Sequence, residues 1–157
     1  MPAVHQFSLP SQLMQRGFWL YVWKIRARGS TRPRFYVGMT GDTGSYRAQS
    51  PVNRVSAHLG HNERNNALRR CMKRNGIEIE RCDSIEFAAY GPIGNVPVDR
   101  VDYRAARSMV AALEKRLWQH MESEGMAMLN SCPSCTTPYD DKTFELVRSE
   151  LEPFFKS

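Results

Sequence analysis

Three features are scarce in this 157-residue sequence: long apolar runs, patterned cysteines and, over one long stretch, acidic residues. The longest charge-free apolar stretch, residues 18–23, is far shorter than the ~20 residues of a transmembrane helix. The first residues show no basic cluster followed by an apolar run, so we expect no secretion signal, no membrane association and a cytoplasmic location. The cysteines are too few and too unevenly spaced for a disulfide framework: Cys71, Cys82, Cys132 and Cys135.

Acidic residues are nearly absent from residues 16–74. This segment has 13 Lys or Arg residues but only Asp42 and Glu63, whereas the rest of the chain has 9 basic and 14 acidic residues. Phosphate contacts dominate the affinity of most nucleic-acid-binding proteins, so this asymmetry favours a polyanionic partner. The alternative is an ordinary solvated basic surface.

The length suits one domain with one core. Three segments rich in aromatic and β-branched residues predict strands, at 18–25, 34–38 and 84–90. Four segments with helical periodicity predict helices, at 52–59, 64–75, 101–125 and 142–155. We therefore divide the chain into an N-terminal leader (1–16), a main domain (17–131) and a C-terminal helical extension of the same domain (132–157).

The first two strands form a predicted hairpin that contains Tyr21 and Tyr36. Period-two alternation puts each tyrosine on the face opposite its immediate neighbours in the strand. Tyrosines are more often core aromatics than catalysts, because a phenol with a pKa of about 10 is a poor base at neutral pH. Catalysis would need cations to lower that pKa, and the basic hairpin, Arg54 and a metal ion are candidates.

Glu114 lies on the apolar side of the longest predicted helix. Its neighbours one turn away include Val110, Leu117 and Trp118, and none of them is an ionic partner. A carboxylate in such a stripe is costly to desolvate unless a positive group meets it. Its position therefore indicates either a bound cation or a salt bridge to a distant arginine.

Arg54 and His58 are four residues apart, so they share one face of a helix. A guanidinium can bind two phosphate oxygens, and an imidazole can exchange a proton near neutral pH. The pair suits a phosphate whose charge grows during cleavage. The alternative is a solvent-facing helix with an incidental histidine.

Together these residues resemble the catalytic layout of the GIY-YIG nuclease family. The family's first tripeptide is similar to residues 19–21 (Trp-Leu-Tyr), and the second to residues 36–38 (Tyr-Val-Gly). The arginine-bearing helix is similar to residues 53–59. The family's metal-binding glutamate corresponds to Glu114, and the asparagine near the end of its domain to Asn130.

The resemblance covers residues 18–131 and implies an α+β fold with a three-stranded antiparallel sheet flanked by helices, to which the last helix is added. It also implies a divalent-metal-dependent endonuclease acting on nucleic acid, DNA more than RNA. One Mg²⁺ or Mn²⁺ ion would be held by Glu114, with water and phosphate oxygens completing its shell.

The resemblance further implies a role for each residue of the site. Tyr21 would orient or deprotonate the attacking water, and Tyr36 would assist it through hydrogen bonding. Arg54 would stabilise the charge of the transition state, and His58 would relay a proton. Asn130 would brace the site. Phosphate contacts are predicted for six basic residues of the hairpin and second helix: Arg28, Arg32, Arg69, Arg70, Lys73 and Arg74.

Two other function classes remain open. The first is a non-catalytic nucleic-acid-binding module with the same fold and basic face, which the presence of the whole catalytic set disfavours. The second is a structural or partner-binding protein, which would use the apolar side of the last helix: Phe144, Val147, Leu151 and Phe154. Cys132 and Cys135 have zinc-ligand or redox spacing, but the sequence shows no second half of a zinc site.

Overall fold

The computed structural model describes residues 2–62, 64 and 66–157. Their strands and α-helices follow one another as β1 (Leu20–Ala27), β2 (Arg34–Met39), α1 (Pro51–Leu59), α2 (Ala67–Arg74), β3 (Cys82–Tyr90), α3 (Arg100–Ser123), β4 (Ala127–Met128) and α4 (Asp141–Lys156). Short 3-10 turns lie at Ser11–Met14 and Ile79–Arg81. Among these residues, no helix combines the length and apolar character that crossing a bilayer requires.

The sheet has the strand order β3-β1-β2-β4. β1 pairs antiparallel with both β2 and β3, whereas β4 pairs parallel with Arg34 and Phe35 of β2. The predicted α+β class is confirmed, but the sheet is mixed and has four strands rather than three antiparallel ones. β4 escaped prediction because its two residues are too few to show a period of two.

The two faces of the β1–β2 hairpin belong to different clusters of buried side chains. One face packs with α3 and α4 and presents Leu20, Val22, Phe35, Val37 and Met39. The opposite face packs with Leu68, Cys71 and Met72 of α2 and presents Tyr21, Trp23, Ile25 and Tyr36. The predicted alternation of each tyrosine with its neighbours is confirmed.

α4 closes the first of these clusters. Its buried apolar side consists of Phe144, Val147, Leu151 and Phe155. Phe155 takes the buried place that the sequence pattern gave to Phe154. The Lys24 ammonium of β1 donates to the backbone oxygen of Ser157 at 2.6 Å and to its Oγ at 2.8 Å. Because this apolar side is covered by the sheet, the described fold leaves it little surface for a partner protein.

Asn66 sets the boundary between α1 and α2. Its Oδ1 accepts a hydrogen bond from the Arg69 backbone N–H at 2.9 Å, and its Nδ2 donates to the carbonyls of His58 and Gly60. α2 therefore begins at Ala67 rather than at residue 64, and one residue of the predicted start, Asn65, lies outside the described residues. The same contacts fix the end of α1, which carries His58.

Candidate active site

A cavity of about 310 Å³ opens at the end of the hairpin where Tyr21 pairs with Gly38. Five of the six predicted catalytic residues line it: Tyr21, Tyr36, Arg54, His58 and Glu114. They come from β1, β2, α1 and α3, so residues far apart in the sequence share one concave site. Asn130, the sixth, does not line the cavity; its side chain bonds the backbone of Val37 in β2.

Tyr21 and His58 are directly hydrogen bonded, with Oη and Nε2 2.9 Å apart. The Tyr36 ring also lies against the imidazole, with ring centroids 5.5 Å apart. His58 is buried, and its Nδ1 has no hydrogen-bond partner among the described residues. The predicted sharing of one helix face by Arg54 and His58 is confirmed, since both reach this cavity.

Gly38 is required by the close approach of the Tyr21 ring. A Cβ atom at position 38 would lie 2.5 Å from both Cζ and Oη of Tyr21. The two residues face each other across the β1–β2 ladder, so the phenol lies directly over the Gly38 backbone. Glycine at this position therefore lets the hydroxyl reach His58 and the cavity.

Arg54 is held by the loop that joins β2 to α1. Its Nη2 forms an ion pair with Asp42 and donates to the Thr40 carbonyl at 3.5 Å. Its Nε is buried and has no hydrogen-bond partner among the described residues. The loop is anchored to α3, because the Tyr103 hydroxyl donates to the Asp42 carbonyl at 3.0 Å. The guanidinium is thus oriented with one N–H donor uncommitted.

Glu114 faces the cavity from α3 and makes neither a hydrogen bond nor an ion pair with any described residue. Burial raises its pKa to about 7, and Arg107 and Arg54 oppose that rise through their charges. The direct salt bridge that the sequence left open is therefore not formed. The two arginines act on Glu114 from beyond contact distance.

The pKa values of the two tyrosines differ from what the sequence predicts. Burial raises the pKa of Tyr21 well above its usual value and outweighs the lowering by Arg54. Burial likewise raises the pKa of Tyr36, so the expectation that surrounding cations lower the phenol pKa is wrong for the protein alone. Burial, and then Arg54, lower the pKa of His58 to about 4. At neutral pH both phenols are protonated and the imidazole is neutral.

Asn130 holds the edge of β2 rather than lining the cavity. Its Oδ1 accepts from the Val37 backbone N–H at 3.3 Å, and its Nδ2 donates to the Val37 carbonyl at 2.8 Å. The Trp118 indole of α3 donates to the Asn130 carbonyl at 2.9 Å. Val37 lies between Tyr36 and Gly38, so these bonds fix the strand that carries both residues.

The predicted phosphate-binding residues lie at different distances from the cavity. Arg28 and Arg32 are exposed at the hairpin turn, and at ~3.3 Å per residue that turn lies roughly 20 Å along the strands from Tyr21. The Arg69 guanidinium bonds Glu80 and the Leu59 carbonyl.

Three predicted phosphate-binding residues of α2 are exposed: Arg70, Lys73 and Arg74. Burial is the main cause of the raised pKa of Tyr36, and the positive charge of Arg70 is close enough to this cavity residue to oppose the rise. Of the six predicted residues, Arg70 therefore has the clearest link to the cavity.

The sequence analysis missed two charged residues of the cavity, Asp42 and Arg107. Arg107 precedes Glu114 by seven residues, a spacing that returns to the same side of a helix. Its Nε donates to the Gly41 carbonyl at 3.1 Å. Extending the helical pattern by two turns from Glu114 would have identified Arg107. No local pattern identifies Asp42, because only the fold of its loop brings it to Arg54.

The cysteine pair shows no sign of a zinc centre. No group of three or more His, Cys, Asp or Glu side chains is placed to hold a metal within residues 2–62, 64 and 66–157. All four cysteines are free thiols, and Cys135 Sγ lies 3.7 Å from the Ser108 carbonyl. Of the two carboxylates that line the cavity, Asp42 is paired with Arg54, so a cation there would meet Glu114 and fill its shell with water or substrate oxygens.

Comparisons with known proteins assign no family. No protein-family model, curated protein or solved structure matches this chain. The resemblance to the GIY-YIG nucleases therefore rests on the motif residues and remains a prediction.

Proposed function

We propose that this protein is a divalent-metal-dependent endonuclease that hydrolyses phosphodiester bonds in nucleic acid, DNA in preference to RNA. One observation carries the proposal. Glu114 is a partly buried carboxylate without a contacting partner among the described residues, and it faces the same cavity as Arg54 and the hydrogen-bonded Tyr21–His58 pair. The preference for DNA follows from the family resemblance.

The cavity offers the groups that this reaction needs. Hydrolysis of a phosphodiester requires an oriented water and positive charge where negative charge develops on the phosphate. Tyr21 and His58 provide a polar pair, and Arg54 provides the positive charge. Arg107 adds a second guanidinium at the wall shared by Glu114.

Glu114 fits a hard divalent cation. Mg²⁺ and Mn²⁺ prefer carboxylate and water oxygens, and the carboxylate has no competing contact. With a pKa of about 7, about half of the carboxyl groups are ionised at neutral pH, and a bound cation would lower that pKa and favour the ionised form. When bound there, the ion would supply positive charge that polarises the phosphate.

Tyr21 orients the attacking water as a neutral phenol. Its raised pKa disfavours a phenolate, so the hydroxyl accepts a hydrogen bond from water while donating to His58 Nε2. With its pKa lowered to about 4, His58 is neutral and able to accept that proton in the tautomer that carries hydrogen on Nδ1. The pair thus provides a proton path away from the water.

Arg54 stabilises the charge that develops on the phosphate. Asp42 and the Thr40 carbonyl hold Nη2, which fixes the plane of the guanidinium before substrate binds. Arg54 lines the cavity, so its guanidinium faces a phosphate bound there. A donor that is already oriented costs little reorganisation in the transition state.

A cleavage assay with a matched variant tests the proposal. Purified protein is incubated with single-stranded, double-stranded and branched DNA and RNA in Mg²⁺, Mn²⁺, Ca²⁺ or EDTA. Glu114→Gln, purified identically, controls for contaminating nuclease. Metal-dependent cleavage by the wild type alone supports the proposal. Equal cleavage by both proteins refutes the role of Glu114, and binding without cleavage on every substrate indicates the non-catalytic module instead.

A further inference from the structure

A second cavity of about 330 Å³ adjoins the first. Thr43 and Arg107 line both cavities, so the two share a wall. The second lies between the loop after β2 and the first half of α3, where Tyr46, Arg104 and Ser108 complete its walls. The loop that holds Arg54 therefore also forms one side of this extension.

Three arginines follow one side of α3 away from the catalytic cavity. Arg100, Arg104 and Arg107 are spaced by four and three residues, which places them on one face of the helix. The row covers a rise of roughly 10 Å at ~1.5 Å per residue. None of the three forms an ion pair with a carboxylate of the described residues, so their charge is not neutralised by contact.

Tyr46 organises the outer two arginines. The guanidinium carbons of Arg100 and Arg104 lie 5.0 Å and 5.2 Å from the centre of its ring, and Arg104 also donates to its hydroxyl. Cation–π contact and this hydrogen bond limit the freedom of two long side chains. The arginines are therefore partly ordered before any ligand arrives, which reduces the entropic cost of binding.

Some arginines elsewhere on the molecule are paired with carboxylates. Arg69 is paired with Glu80, and Arg148 with Glu145 and Glu152. Their charge is largely cancelled by contact. The row on α3 combines charge without an ion-pair partner among the described residues, partial ordering and a wall shared with the candidate active site.

We propose that Arg100, Arg104 and Tyr46 bind the backbone of the substrate strand next to the scissile phosphate, and that the strand leaves the cavity along α3. This inference rests on the proposed function, because it takes the first cavity as the place of the scissile phosphate. One DNA strand carries a negative charge about every 3.4 Å of helix axis. A row of roughly 10 Å therefore matches the phosphates of about three successive nucleotides.

Two charge-matched double variants test the inference. Arg100→Gln with Arg104→Gln removes two charges from α3, and Arg28→Gln with Arg32→Gln removes two from the distant hairpin turn. Binding of a labelled DNA duplex and of its single strand is measured in Ca²⁺ across a series of salt concentrations. The α3 variant should reduce the slope of log Kd against log salt by about two, roughly one for each lost contact. The turn variant should reduce it by less than half as much.

A third variant and a competitor sharpen the result. Arg100→Lys with Arg104→Lys keeps both charges and should retain most of the slope, and melting temperatures check that every variant is folded. An unchanged slope in the folded α3 variant overturns the inference, as does an equal loss in the turn variant. Competition by polyglutamate as strong as that by DNA of equal charge also overturns it, because the surface would then bind any polyanion.

The outcome is separable from that of the nuclease assay. Cleavage by the wild type together with an unchanged slope in the α3 variant rejects the strand path and leaves the nuclease intact. Absence of cleavage together with the predicted loss of slope rejects the nuclease and with it the scissile position. The α3 row would then be a nucleic-acid-binding surface only.

Discussion

The two faces of the β1–β2 hairpin are built from neighbouring residues but differ in chemistry. On one face Leu20 and Val22 pack against α3 and α4. On the other, Tyr21 and Trp23 are equally buried, yet Tyr21 is hydrogen bonded to His58 and lines the cavity. Burial alone therefore does not distinguish the packing face from the candidate catalytic face. The two faces differ instead in their polar atoms, some of which have no hydrogen-bond partner among the described residues on the cavity face.

The cavity face contains buried nitrogen atoms without partners among the described residues. These atoms include Trp23 Nε1, Arg54 Nε and His58 Nδ1. Such an atom costs roughly 1–3 kcal/mol of stability, and two of the three residues, Arg54 and His58, line the cavity. On the packing face of β1 the buried polar group is the Lys24 ammonium, and it donates to the backbone oxygen and Oγ of Ser157.

The largest expected effect separates Glu114 from its neighbour Leu113. Glu114→Gln should abolish metal-dependent cleavage and leave the protein folded, because it removes the metal-binding charge and no apolar contact. Leu113→Ala should instead lower the free energy of unfolding by about 2–5 kcal/mol, while the folded fraction cleaves at the normal rate. Melting curves and single-turnover rates in Mg²⁺ measure both. Full activity of Glu114→Gln would contradict the metal assignment.

Arg54→Ala should lower the cleavage rate by about 10²-fold or more, the scale of losing one transition-state donor, with only a modest change in affinity. Binding is measured in Ca²⁺ and single-turnover cleavage in Mg²⁺. Arg28→Ala at the hairpin turn is the control and should leave the rate for bound substrate unchanged. An Arg54 variant that loses affinity but cleaves bound substrate normally would place this residue among the ordinary basic surface groups.

Tyr21→Phe should slow cleavage by roughly 10²-fold, within the range for loss of one proton-transfer group, and leave binding nearly unchanged. It removes the hydroxyl that contacts His58 and keeps the ring that packs beside Phe87. Tyr36→Phe is the matched control, because both tyrosines line the cavity. If only Tyr36→Phe is inactive, the two tyrosines exchange roles.

Gly38→Ala tests whether the Tyr21 ring needs its present position. The new methyl group would overlap the phenol, so we expect a loss of about 1–3 kcal/mol in stability together with reduced cleavage. Gly44→Ala is the control, because no atom lies within 4 Å of its added Cβ. Melting temperature and cleavage rate are compared for both. Equal behaviour of the two variants would show that the ring moves without consequence.

The sequence predicts the hairpin, the helices and most of the cavity because these depend on local periodicity and on residue types with few alternatives. A carboxylate in an apolar stripe identifies Glu114, and a spacing of four pairs Arg54 with His58. β4 is too short to show a period, and Asp42 reaches Arg54 only through the fold of its loop. The direction of the Tyr21 pKa shift depends on burial, which tertiary packing alone determines.

The smallest expected effect is the pH dependence of stability that Glu114 contributes. The pKa of its carboxyl is raised from 4.5 to about 7 in the folded protein, so the folded state holds this proton over a range where the unfolded state has lost it. Wild-type stability should therefore fall relative to Glu114→Gln as the pH rises from 4.5 to about 7, by roughly 1–3 kcal/mol in total. His58 and all other groups are common to both proteins, so the difference isolates Glu114.

Mg²⁺ should reverse this difference. A cation that binds the ionised Glu114 stabilises only the folded wild type, so above pH 7 added Mg²⁺ should raise the melting temperature of the wild type and not that of Glu114→Gln. Thermal melts of both proteins across pH 4 to 8, with Mg²⁺ or EDTA, measure the effect. If Mg²⁺ shifts both proteins equally, the ion binds elsewhere, and Glu114 is a partly buried acid that only the arginines around it stabilise.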